Sequence, residues 1–144
     1  MKLPQYITTE EVQRVCRELG IRDWTSLTEA AVPVEEARII QAEVGAEAGH
    51  VTADEFRTGL EVELEHGLQF PDANVTNNHP LLTGKIVLAH LKETLDYYSR
   101  LEVAELEGDI LNALSKGDLA KVADKYRKLI HARVALNSSE VSRL

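Results

Sequence analysis

The sequence predicts an all-α fold: a single-domain bundle of about five helices, with an antiparallel pair (about 53–67 and 80–107) at its centre. Three observations predict it. Gly and Pro number 8 and 4 among 144 residues, while Ala, Leu and Glu abound, a balance that favours helix over strand. Apolar residues recur at three- and four-residue spacing, the period of a helix with one buried face. Capping residues and Pro or Gly stops punctuate those segments.

The first helix spans Thr9 to Leu19. Thr8 and Glu11 have capping-box spacing, Val12, Val15, Cys16 and Leu19 form one stripe, and Gly20 is the stop. "RDWTSLTEAA" reads as a connector anchored by Trp24. A second helix opens at Pro33 and runs to Gly49, with Val34, Ala37, Ile40, Val44 and Ala48 facing one way and Glu36, Glu43 and Glu47 forming a solvated acidic strip. Thr52 and Glu55 cap a third helix that ends at Gly67. "GLQFPDANVTNNHP" has no periodicity and reads as a loop. The fourth helix starts at Pro80, runs to about Glu107 and breaks at Gly108 and Asp109. Ser115 and Asp118 cap the fifth, which runs to about Leu136 before a frayed tail.

Bulk properties exclude several functions. The formal charge is −8, and no basic cluster offsets it, so nucleic acid is not an expected partner. Apolar runs are far shorter than a bilayer crossing, so no membrane span is expected. The start, "MKLPQYITTEEV", has no apolar leader, and with the single Cys16 as a buried structural thiol the expected location is the cytoplasm. No Gly-rich phosphate cradle, nucleophile elbow or paired-cysteine motif is present, and the sequence assigns no reaction.

One pattern does carry chemistry. "ELEHG" holds Glu63-x-x-His66, and "HLKE" holds the inverse, His90-x-x-Glu93. At about 100° per residue, Glu63 falls inside the apolar face of its helix and His66 at the edge, while His90 and Glu93 fall inside the stripe of theirs. Glu61 and Glu65 point to solvent by the same construction. Antiparallel packing sets His66 level with His90 and Glu63 level with Glu93. Carboxylates on a core face need partners. Carboxylate and imidazole together suit Fe, Mn or Zn, and Glu-x-x-His on a bundle helix is half of the ferritin-like di-metal pattern. Asp96 and His79 stand in reserve as ligands, with Tyr97 and Lys85 as neighbours that would hold the ligands in place. His50 and His131 are given no role.

At these residues the chain resembles a small uncharacterised bacterial and phage domain family of unknown function. Its pattern is ELEHG, then NVTNDDPLLTGKIALAHLKE, then a Pro-Asp-Tyr-Tyr run. The resemblance covers about 19–24 and 54–102 as a family-like core, and implies 25–53 as an insertion and 109–144 as a C-terminal helical extension. Asn78 and His79 stand where the family carries aspartates, and Leu95 where it carries proline. The family supplies no activity.

Two readings follow. One is a helical protein binding a divalent transition metal through Glu63, His66, His90 and Glu93. The other is a non-catalytic interaction or homo-oligomerisation module in which those residues form a buried hydrogen-bond network.

Overall fold

Thr8 starts the first helix: its hydroxyl accepts from Glu11 N at 3.2 Å. In the computed structural model, which describes residues 6–45 and 51–144, α1 spans Thr9–Leu19 and stops at Gly20, φ 68°. A left-handed residue costs glycine nothing, and Ile21 N then reaches back to Cys16 O at 3.0 Å. Val12, Val15 and Cys16 are buried as their spacing predicts. Burial pushes the Cys16 thiol up, which suits a packing role.

The connector is more ordered than its composition suggests. Asp23 Oδ1 accepts from Thr25 N at 2.9 Å and opens a 3-10 turn, Trp24–Ser26. Trp24 is fully buried. α2 follows at Val34–Val44 and closes on Gly45, φ 77°; the expected continuation to Gly49, with Glu47 and Ala48, lies outside the described residues. Lys85 Nζ donates to Val44 O at 2.8 Å, so this side chain, expected beside a metal, instead satisfies the open end of α2. The acidic strip also needs correction. Glu43 is exposed, but Glu36 is buried and collects four donated hydrogen bonds' worth of structure: Arg22 N at 3.1 Å, Arg22 Nε at 2.8 Å, Arg22 Nη2 at 3.1 Å and Trp24 Nε1 at 3.3 Å. Burial alone would raise its carboxyl, but these donors outweigh it and hold Glu36 below the usual range.

Thr52 and Glu55 form a full capping box for α3, Ala53–Gln69. α4 spans Pro80–Glu93. α2, α3 and α4 pack on one another through Ala37, Ile40, Val44, Phe56, Leu60, Leu64 and Val87, all buried. Gly84 permits the close approach: a Cβ there would stand 2.8 Å from Ile40 Cγ2 and 3.1 Å from Val44 Cγ1. Segment 25–53 thus contributes part of this core. Glu61, expected in solvent, accepts from Val32 N at 2.9 Å and ties the entry to α2 onto α3.

The fourth helix is shorter than its periodicity predicts. It ends at Glu93, and α5 begins afresh at Tyr97–Ser115. Thr94 and Asp96 bond each other by their side chains, a local alternative that competes with helix. The break sits around Leu95, between the end of α4 and the start of α5. The expected break at Gly108 does not occur, since α5 runs through it. A mid-helix glycine costs only about 1 kcal/mol, less than the packing on either side supplies. Helix α6 spans Leu119–Val141, longer than predicted and including most of the expected frayed tail. Asp118 alone caps it, accepting from Lys121 N at 3.0 Å.

The chain divides between Glu93 and Thr94 into two compact units. The second is a hairpin of α5 and α6. Its ion pairs run in opposite order along the two helices: Asp109–Lys125 at 2.5 Å, Glu107–Arg133 at 2.5 Å and Arg100–Glu140 at 2.6 Å. The helices are therefore antiparallel. Leu106, Leu129 and Ala132 form the hairpin's core, with Val103 and Ile110 against it. Among the described residues there are six α-helices and no strand, and no helix is long and apolar enough to cross a membrane.

Candidate functional site

Glu63 and His90 meet between α3 and α4. His90 Nδ1 lies 3.1 Å from Glu63 Oε1, with the two side chains 28% and 15% exposed. The contact orients the imidazole, with the Nδ1 proton toward the carboxylate. This is not the register the sequence predicts. Glu63 was expected level with Glu93, and His66 level with His90. The observed pairing sets a carboxylate against an imidazole rather than against a second carboxylate, the choice that partial burial favours. His66 and Glu93 are both exposed.

The reserves are occupied elsewhere. Asp96 belongs to the second unit, where its side chain is 2% exposed and meets Arg100 at 2.9 Å and Arg143 at 3.4 Å. The Arg100 guanidinium holds its carboxyl down to about 2. Tyr97 packs edge-on against Tyr98, ring centres 5.2 Å apart. Among the described residues no three His, Cys, Asp or Glu side chains are grouped so as to hold a metal ion.

Beside the Glu63–His90 pair is a cleft of about 210 Å³, lined by Glu63, His66, Phe70, Asn74, Thr76 and Thr83 among others. Its wall explains the "NVTNNHP" stretch. Asn74 Nδ2 donates to Gly67 O at 3.2 Å and to Asn78 Oδ1 at 2.8 Å, closing the end of α3. A Cβ at 67 would overlap Asn78 Oδ1 and stand 2.9 Å from Asn74 Nδ2, so a larger residue there would displace both amides from their hydrogen bonds. Asn77 and Asn78 both adopt positive φ, 49° and 54°, a conformation asparagine tolerates better than most residues.

His79 then caps α4. It is buried, and its Nδ1 accepts from Leu81 N at 3.2 Å and Leu82 N at 3.4 Å. These are orphan amides of the first turn of α4. An imidazole in this role gives the cap a pH dependence near neutrality. Burial, the largest cause, pushes His79 below its ordinary 6.5; Arg14 adds to the fall and Glu11 opposes it. With a depressed folded value, the cap's contribution is complete above about pH 6.5 and falls as pH drops below it. His79→Asp is expected to keep stability and remove this dependence near pH 6. His79→Ala is expected to cost about 1 kcal/mol at pH 8. Urea unfolding of the three proteins at pH 5 and pH 8 checks both.

Sequence reasoning missed Glu36, Glu61 and the capping role of Lys85. The signal for Glu36 was available: a lone Trp24 whose indole N–H needs an acceptor once buried, next to an arginine, with Glu36 at the border of the apolar face of α2. No such signal marks Lys85, whose acceptor is a backbone carbonyl more than forty residues away in sequence.

No curated protein matches the chain, and no solved structure does. A family model described as a protein of unknown function, DUF5661, matches residues 12–107. That match runs through α1 to α4 and into α5, the helices that carry ELEHG, the asparagine-rich loop and the Glu63–His90 contact, and the chain belongs to this family.

Proposed function

We propose that the chain is a non-catalytic helical interaction module. Glu63 and His90 are a polar pair that fixes how α3 sits on α4, and the interaction surface is the open side of α6. The observation that carries this reading is a row of apolar side chains in solvent: Leu119, Tyr126, Ile130, Val134 and Val141 are all exposed. Single exposed apolar residues are ordinary, but a continuous row is the mark of a binding surface. A polar pair that sets helix register is a known use of buried polar groups.

A fluorescent dye that binds exposed apolar surface tests it. At dilutions where the wild-type protein is monomeric it should bind the dye, and Tyr126→Ser with Ile130→Ser should bind much less at unchanged helicity. Equal binding by both would remove the surface from the account.

A metal centre keeps one observation in its favour: Glu63 contacts His90 and shares the cleft with His66. An Fe, Mn or Zn ion there would recruit His66 and a further ligand by side-chain movement. Metal content of untagged protein purified without chelators separates the readings. The interaction reading expects well below one metal per chain and no rise in melting temperature on adding metal, since a bound ion would stabilise the folded state.

A further inference from the structure

We propose that the occupant of the α6 surface is a second copy of this chain, hairpin against hairpin, so that two α5–α6 hairpins complete a four-helix bundle. This rests on the interaction reading above and names its partner.

Four observations lead there. The exposed residues Leu119, Tyr126, Ile130, Val134 and Val141 are between 42% and 71% in solvent. On a helical wheel they fall within about 80° of one another. Together with Ala123 and Asn137 they step along α6 by fours and threes, the spacing of side chains that pack into a neighbouring helix of the same kind. Arg133, which lies beside this row, is turned onto Glu107, so its charge meets a partner already supplied within the hairpin.

The hairpin is also short of core. Its buried apolar side chains are Tyr98, Leu106, Ala113, Leu129 and Ala132, with Val103 and Ile110 partly buried. A two-helix unit of this size buries too little surface to be stable on its own account, and small helical units commonly gain the remainder by oligomerisation.

Charge separates a second copy from other occupants. Residues 94–144 contain eight Lys/Arg and eight Asp/Glu, whereas residues 1–93 contain eight and sixteen. The whole formal charge of −8 therefore resides in the first unit. The two hairpins carry no net charge, and because α6 holds five Lys/Arg against two Asp/Glu while α5 holds one against four, the α6 of one chain is complementary in charge to the α5 of the other. Meeting through the first units would oppose like charges.

A specific interface of about 1,200 Å² in total requires the adjoining side of α5 to join the α6 row, giving a face two helices wide at about 10 Å each and about 30 Å long, roughly 600 Å² per chain. A two-fold arrangement uses the same patch on both chains and closes on itself.

Sedimentation velocity on the full chain over the micromolar range tests this. The wild-type protein should sediment as a species of twice the 16.0 kDa chain mass. Ile130→Glu should weaken association by at least about 100-fold, the effect of a charge in the middle of a desolvated apolar contact. Ile39→Glu, an exposed apolar position of α2, should leave it unchanged. Should Ile130→Glu lose helicity, Ile130→Ser with Val134→Ser takes its place. A dimer indifferent to these hairpin changes overturns the proposal. A monomer that binds the apolar dye, and loses it on Ile130→Ser, overturns the second copy as occupant but leaves the interaction surface standing. A monomer that binds no dye removes both.

Discussion

Glu36→Ala is expected to cost about 3 kcal/mol, the largest effect of any single polar change in the first unit. The loss has several parts. Trp24 is fully buried, and its indole N–H would keep no acceptor at Glu36. The Arg22 backbone N–H and guanidinium would lose theirs as well. The Arg22 side chain is 43% exposed, so water compensates much of the ion pair, and most of the penalty falls on the indole and the space left behind. Glu36→Gln keeps an oxygen for Trp24 and should cost about half as much. The two variants also differ from wild type in acid. Because the Glu36 carboxyl is held below its ordinary 4.5, the folded protein has this contribution in full above that pH and loses it as pH falls further. Both variants should show a shallower decline of stability below pH 4.5. Chemical denaturation across that range measures both effects.

Gly84→Val is expected to be as damaging for the opposite reason. Nothing is removed; α4 is pushed away from α2. The added Cβ alone would crowd Ile40 Cγ2 and Val44 Cγ1 at 2.8 and 3.1 Å and touch Phe56 Cζ at 3.4 Å. Those atoms belong to buried, branched or aromatic side chains with no free direction to turn. Overpacking of this kind costs typically 1–3 kcal/mol, and valine's second branch places the change at the upper end. Gly84→Ala gains roughly 1 kcal/mol of helix propensity and should come out only mildly destabilising. A thermal melt ranks the three proteins: wild type, then Gly84→Ala, then Gly84→Val well below.

Local chemistry made much of the fold legible in the sequence. Thr8 and Glu11, Thr52 and Glu55, and Gly20 announced the ends of α1 and the start of α3 because each acts within a few residues of itself. The misreadings concern where helices end. Helical periodicity was carried across Leu95, although Thr94 and Asp96 bond each other there and end the helix. That error carried one helix through Asp96 and Tyr97 and so put Asp96 in reserve as a ligand and Tyr97 beside the ligands. The reverse error put a break at Gly108, where packing of α5 on α6 overrides a weak local preference.

The candidate site was half legible. A helical wheel correctly turned Glu63 and His90 away from open solvent, and it placed Glu93 in the apolar stripe although that side chain is exposed. A wheel gives the direction of a side chain but not the axial offset between two helices. That offset decides which residue faces which, and here it sets Glu63 against His90. The sequence holds His79 in reserve as a ligand, whereas its Nδ1 accepts from the first-turn amides of α4. Its acceptors and donors are fixed by the turn at Asn77 and Asn78, and two consecutive left-handed asparagines have no clear mark in the sequence.

The most direct measurement of the central claim, that Glu63 and His90 join helices rather than hold an ion, is a double-mutant cycle. Wild type, Glu63→Gln, His90→Leu and the double variant are unfolded in urea, once with chelator and once with added Fe, Mn or Zn. The account predicts a coupling of about 1 kcal/mol that is the same in all conditions. A coupling that disappears in chelator and grows with one metal would contradict it.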